Sequence, residues 1–217
     1  MSTYERLAPF YERRSDPYLM AVYKDVLMRY KRHGLALDIG CGPGVLTKVL
    51  AENHERVLAF DISPAMLAVA RAETPVNTTV FQHDFTEPLT GSFDTILASL
   101  DVFNHIDDAV PFQKTLLMWY ESLVPGGVFL FDLLKESYLA DLIGHVETLK
   151  LDDTHVTWRI EATEKQNQIR HVLFGSEEKH THIETAFDET TVFAVLPKDR
   201  CVESIDLPER TLYIFKK

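Results

Sequence analysis

The chain has 217 residues, enough for one domain or one domain with an elaboration. A net charge of −11 argues against a nucleic-acid partner, which calls for a basic patch, and against an anionic membrane surface. No apolar run approaches a membrane span, residues 1–14 are too charged and interrupted for a signal peptide, and two cysteines make neither a disulfide framework nor a metal set, so a reducing cytoplasm is the expected compartment.

Residues 1–34 read as an N-terminal helical cap. Tyr4, Leu7, Phe10 and Tyr11 recur at helical spacing. Pro17 opens a second helix whose apolar face carries Leu19, Val22, Tyr23, Val26, Leu27 and Tyr30, stopped by Gly34. Residues 35–39 are a buried strand that runs into Gly40-Cys41-Gly42-Pro43-Gly44, after which Val45, Leu46, Val49 and Leu50 share a helix face. Glycines in such a loop let the backbone approach a ligand with no Cβ in the way. The spacing is not that of a dinucleotide fingerprint, because the third glycine comes one position early and Val45 stands in its place. Asp38, at the head of the loop, suits a cation such as an ammonium. Cys41 sits in the turn, where a small side chain suffices.

The second strand, residues 56–60, ends in Asp61, about twenty residues past Gly40. In a parallel sheet that acid lies at the carboxyl edge, placed to accept ribose hydroxyls. Ser63 and Pro64 are an N-cap and a first helical residue. A third strand, 79–83, leads into Asp84 and Phe85. A fourth, 93–99, leads into Leu100-Asp101-Val102-Phe103-Asn104-His105. A helix over 107–123, a Pro125-Gly126-Gly127 turn and a fifth strand to Asp132 follow.

These strings resemble the class I S-adenosylmethionine-dependent methyltransferases. Asp38-x-Gly40-x-Gly42-x-Gly44 resembles their motif I, and Asp61-Ile62-Ser63-Pro64-Ala65-Met66-Leu67 their motif II. Phe93-Asp94 before an apolar strand is similar to motif IV, and Leu123-Val124-Pro125-Gly126-Gly127 to the turn into strand five. The likeness covers residues 36–133 well and the flanks loosely. It implies a Rossmann-like α/β fold, a doubly wound seven-stranded sheet that is mostly parallel with an antiparallel last strand. It implies S-adenosyl-L-methionine as cofactor and S-adenosyl-L-homocysteine as product. By the same resemblance Ile62 and Met66 flank the adenine, Asp84 receives its amino group beside the Phe85 N–H, Ser99 lines cofactor or acceptor, and Tyr11 closes over the site. The expected cofactor set is therefore Tyr11, Asp38, Gly40, Cys41, Gly42, Asp61, Ile62, Met66, Asp84, Phe85 and Ser99. Asp101 and Asn104, past strand four, are the candidates for work on the acceptor; their alternative role is to cap the loop before the next helix.

Beyond residue 136 the pattern changes. Val156, Trp158, Ile160 and Ala162 alternate with polar residues, and strands follow at 168–174 and 181–187. This reads as a three-stranded antiparallel β-meander inserted over residues 147–188, covering the acceptor side or pairing with a second copy of the chain. Residues 190–196 read as strand, and 200–217 as a closing β-hairpin. One domain over 1–217 with a cofactor-binding core at 35–135 is expected. His180 and His182 share a strand face with His171 opposite, but with no third ligand in view no metal site is expected. Motifs of base-methylating enzymes are absent from 99–105, so the expected acceptor is a small molecule, methylated on O, N, S or C. Competing readings are a non-catalytic cofactor-binding subunit, an RNA methyltransferase and a nicotinamide oxidoreductase.

Overall fold

The computed structural model describes residues 16–151, 154–175 and 179–217. Helix α1 (Pro17–Arg29) begins where Asp16 accepts the Tyr18 N–H at 2.8 Å, and it buries Leu19, Met20, Tyr23, Val26 and Leu27. The chain then alternates: β1 (Leu35–Ile39), α2 (Val45–Ala51), β2 (Arg56–Asp61), α3 (Pro64–Glu73), β3 (Thr78–Gln82) and β4 (Phe93–Ala98). A 3-10 turn (Val102–His105), α4 (Ala109–Glu121) and β5 (Leu123–Leu134) follow. After α5 (Glu136–Leu142) come β6 (Val146–Leu151), β7 (Thr154–Ala162), β8 (Gln168–Phe174) and β9 (Lys179–Thr185), then α6 (Glu189–Phe193), β10 (Cys201–Asp206) and β11 (Arg210–Lys216).

The main sheet has the order β10-β11-β5-β4-β1-β2-β3. β1 pairs in parallel with β2 and β4, and β11 lies antiparallel between β5 and β10. The seven-stranded sheet with its antiparallel last strand is the architecture expected from the sequence. Strands β1, β4 and β5 are buried on both faces, and alternate residues divide between them. Leu37, Ile39, Ile96, Phe129 and Phe131 pack with Phe112, Leu116 and Trp119 of α4. Ala36, Leu97, Val128 and Leu130 pack with Tyr23, Val26, Leu46 and Leu50 of α1 and α2. This is the period-two pattern of a sheet covered by helices on both sides. The strand order reverses at β1, beside β4, and in such sheets the crevice at the carboxyl ends of these strands is where ligands bind.

The region after β5 differs from the expectation. The insert is a four-stranded antiparallel sheet, β6-β7-β8-β9, rather than three strands. Among the residues of β6 whose burial is described, Leu149 is buried between the exposed Thr148 and Lys150, which is too thin a pattern to read. Residues 189–193 are the helix α6, not strand, because Asp188 caps it and accepts the Thr191 N–H at 2.8 Å. Helix α5 was not expected either. The insert is not independent of the core: Leu134 and Leu139 pack with Ile160, Ile169 and Ala186.

Candidate functional site

The glycine loop leaves β1 with Gly40, Gly42 and Gly44 at φ 63°, 53° and 86°, all in the left-handed region that a Cβ disfavours. The three have different neighbours. A Cβ on Gly40 would lie 2.6 Å from Val102 Cγ2, and one on Gly44 would lie 3.0 Å from Thr74 Cγ2, so these two glycines serve packing. A Cβ on Gly42 would meet nothing within 4 Å. Gly42 lines a cavity of about 630 Å³ at the carboxyl ends of β1, β2 and β4.

Two acids enter that cavity. Asp61, at the end of β2, accepts the Gly42 N–H at 3.0 Å on Oδ2 and the Ser63 N–H at 2.8 Å on Oδ1. Burial pushes its pKa up, against the pull of the Ser63 and Gly42 amides. Asp38 is 2% exposed and accepts the Thr47 hydroxyl at 2.5 Å. Burial drives its pKa from 3.8 to about 7, the Thr47 bond opposes this, and the nearby Asp61 charge adds to it.

Beyond β4 the backbone makes an unusual bend. Leu100 and Asp101 have φ 63° and 69°, two consecutive non-glycine residues in the left-handed region. Asp132 of β5, fully buried, accepts the Leu100 N–H at 2.8 Å on Oδ2 and the Asp101 N–H at 3.0 Å on Oδ1. Arg210 of β11 donates to Asp101 Oδ1 at 2.8 Å and to Asp132 Oδ2 at 3.3 Å. Burial works against the guanidinium's charge, but the two carboxylates more than offset it and hold Arg210 protonated. The strain is thus held by a charge network.

Another part of the cavity wall comes from β9, through His180, His182, Ile183 and Glu184, together with His105 from the 3-10 turn. The rings of His105 and His182 lie 5.5 Å apart, and His171 stacks on His182 at 4.5 Å. Burial, with the neighbouring His171 and His105, pushes the His182 pKa down to about 3, so its imidazole is neutral. Trp158 Nε1–H donates to His171 Nδ1 at 3.0 Å, and His171 Nε2 lies 3.0 Å from Glu184 Oε2.

Residues 36–127 match the family model of the methyltransferase domain. Over that stretch the chain is similar to methyltransferase domains, and its fold is that of S-adenosylmethionine-dependent methyltransferases. It is 32% identical over 147 residues to a malonyl-[acyl-carrier protein] O-methyltransferase of Enterobacter lignolyticus (strain SCF1), a stretch covering 65% of this chain and 55% of that protein. The chain thus spans little more than half the length of the curated relatives it matches. Among solved structures, an S-adenosylmethionine-dependent methyltransferase from Clostridium acetobutylicum ATCC 824 superposes with a TM-score of 0.80 at 21% identity, over 99% of each chain. CalS10, an amino pentose methyltransferase from Micromonospora echinaspora, does so with a TM-score of 0.71 at 19% identity, over 100% of this chain and 97% of its own. At such identities the likeness is one of fold.

On this methyltransferase fold, Asp38, Gly40, Cys41, Gly42, Asp61, Ile62, Met66, Phe85, Ser99 and Asp101 are all brought to the one cavity. Cys41 is buried with its thiol pushed well up, so it contributes shape rather than reactivity. Asp84 does not line the cavity. It is exposed, and its Oδ1 is taken by the Thr86 N–H at 2.9 Å and the Thr86 hydroxyl at 2.7 Å, a local turn that competes with the adenine role expected for it. Asn104 is fully buried away from the cavity. Its Nδ2 donates to the Thr185 carbonyl at 2.8 Å and its Oδ1 accepts the Leu134 N–H at 3.2 Å, so it ties the 3-10 turn to β9 and β5 instead of meeting an acceptor. Asp101 faces the cavity and is paired to Arg210. Tyr11 lies outside the described residues.

Sequence reasoning missed Asp132, Arg210, His105 and Glu184 as parts of the site. The alternation of His180, His182 and Glu184 along β9 was the available signal for one wall. His105, His182 and Glu184 each offer a ligand atom, and these atoms lie within 4.8 Å of one another.

Proposed function

We propose that this protein binds S-adenosyl-L-methionine in the cavity and transfers its methyl group to a small-molecule acceptor. Gly42 carries the reading: its open side faces the cavity while its N–H holds Asp61, the geometry of a backbone that a ligand must approach closely. Asp61 then takes the ribose hydroxyls, Asp38 the methionine ammonium, and Ile62, Met66 and Phe85 the adenine faces. The sulfonium already activates the methyl carbon. An acceptor O, N, S or C atom attacks it in line, the S–CH3 bond breaks and its electron pair returns to sulfur. The protein's main contribution is alignment, worth up to about 7–11 kcal/mol in well-oriented reactions.

A small acceptor is favoured by the wall that β9 builds over the site and by the acidic net charge. Two structural neighbours, an amino pentose methyltransferase and a sugar N-methyltransferase, point the same way. Two free cysteines fit the expected cytoplasmic setting, and among the described residues no helix is long and apolar enough to cross a membrane. Calorimetry with S-adenosylmethionine, S-adenosylhomocysteine and NADH tests the cofactor. A methyl-transfer screen against metabolites tests the chemistry. Absence of S-adenosylmethionine binding would refute the reading, and binding without transfer to any small molecule would favour a non-catalytic subunit.

A further inference from the structure

We propose that His105, His182 and Glu184 bind a divalent transition-metal ion in the cavity wall, where it holds the methyl acceptor through a hydroxyl or thiol. The ion site stands on these residues alone; its role toward the acceptor rests on the methyl-transfer reading. The three side chains come from distant parts of the chain, the turn after β4 and the inserted strand β9, and converge with ligand atoms within 4.8 Å of one another. An ion about 2.0–2.2 Å from each atom in tetrahedral geometry needs ligand atoms about 3.3–3.6 Å apart, so the three side chains draw together by about an ångström on binding. Two imidazoles and one carboxylate form a donor set suited to zinc, cobalt or iron(II), and three protein ligands leave positions open for a substrate atom. Magnesium and calcium prefer oxygen-only shells.

The surroundings of Glu184 also resemble those of a metal-binding carboxylate. Glu184 is buried, and His171 Nε2 lies 3.0 Å from its Oε2. Trp158 Nε1–H occupies His171 Nδ1, which leaves the ring proton on Nε2, the nitrogen beside Glu184. Such outer partners orient ligands and tune the ion. His105 is exposed, which provides an entry path. A hydroxyl or thiol held by a divalent cation loses its proton more readily. Its proton then leaves to solvent, its electron pair forms the bond to the methyl carbon, the S–CH3 bond breaks, and that pair stays on sulfur.

The test uses the full chain after chelator treatment. Titration with Co²⁺, followed by visible absorption, should show one saturable site that Zn²⁺ displaces. His105→Ala, His182→Ala and Glu184→Gln should each weaken it at least about tenfold, while His155→Ala, at an exposed position of β7, should not. No saturable Co²⁺ site, or unchanged affinity in His105→Ala, overturns the proposal; His105 is exposed, so that variant keeps the fold. S-adenosylmethionine calorimetry on the same samples is read separately. Metal binding without cofactor binding leaves the ion site standing and removes its role in methyl transfer. Transfer to hydroxyl and thiol acceptors at an equal rate with and without metal overturns the acceptor role by itself.

Discussion

Asp38→Asn separates what the cavity's buried acid does for binding from what it does to the fold. Asp38 is buried, with the Thr47 hydroxyl 2.5 Å away, and its pKa stands at about 7 rather than 3.8 because burial disfavours the charge. A carboxyl whose folded value lies above its unfolded value favours the fold most when protonated. Its contribution is fully present below pH about 4 and is lost as pH rises to about 7. The difference corresponds to about 4 kcal/mol at pH 8. Asparagine has no charge to bury and can still accept the Thr47 hydroxyl. The cofactor-free Asp38→Asn protein should therefore melt at the same temperature as wild type at pH 4 and on the order of 10 °C higher at pH 8.

Binding should show the opposite preference. An ammonium beside Asp38 favours the carboxylate, so the cofactor must expel the proton that Asp38 holds below pH 7. At pH 6 a group with a pKa of about 7 is roughly 90% protonated. Calorimetry at pH 6 in buffers of different ionisation enthalpy should then report release of nearly one proton per cofactor bound. Asp38→Asn should abolish that release and lower affinity at least about tenfold. Equal melting temperatures at pH 8, together with a binding enthalpy independent of buffer at pH 6, would refute the assignment.

Asp61→Ala should keep its fold and lose at least about tenfold in S-adenosylmethionine affinity by calorimetry, since charge-assisted bonds to ribose are worth roughly 1.5–3 kcal/mol each. Gly42→Val should lose cofactor binding, and the strain of a branched residue at φ 53° should lower the melting temperature by about 2–4 °C although its Cβ meets no neighbour; Gly40→Ala should destabilise the fold further, with its Cβ 2.6 Å from Val102 Cγ2. Asn104→Ala should lower stability by about 1–3 kcal/mol in denaturant unfolding, because the Leu134 N–H and the Thr185 carbonyl lose a buried partner. A rate loss in that variant with unchanged stability would return Asn104 to the acceptor.

The core was legible because its signals are local. Apolar runs at β1, β4 and β5, and the glycines and acids at their ends, can be read within a few residues of each other. Asp84 shows what that method cannot see: its place at a strand end matched a motif, and Thr86, two residues away, engages its Oδ1. The Leu100–Asp101 bend could not be read at all. It has no glycine, and the residues that hold it, Asp132 and Arg210, lie far along the chain. The three side chains of the proposed ion site were missed for the same reason. His182 was in view on its strand, but its companion His105 arrives only when β9 packs on the turn after β4.

That turn is the joint of the molecule. Asp132 and Arg210 fix its start at Leu100 and Asp101, Asn104 pins its middle to β9 and β5, and His105 faces His182 at its end. The cofactor loop at 40–44 touches it through Gly40 and Val102, a contact that allows no side chain on the glycine. The two sides of the cavity thus meet at a rigid element rather than a flexible one. The family match ends at residue 127, whereas His180, His182 and Glu184 lie beyond it in the insert. On the methyl-transfer reading, the stretch matched by the family model holds the cofactor and the insert beyond it meets the acceptor. Changes along β9 can then alter the acceptor without disturbing Asp38, Gly42 or Asp61, because the Asp132–Arg210 network holds the boundary between them in place.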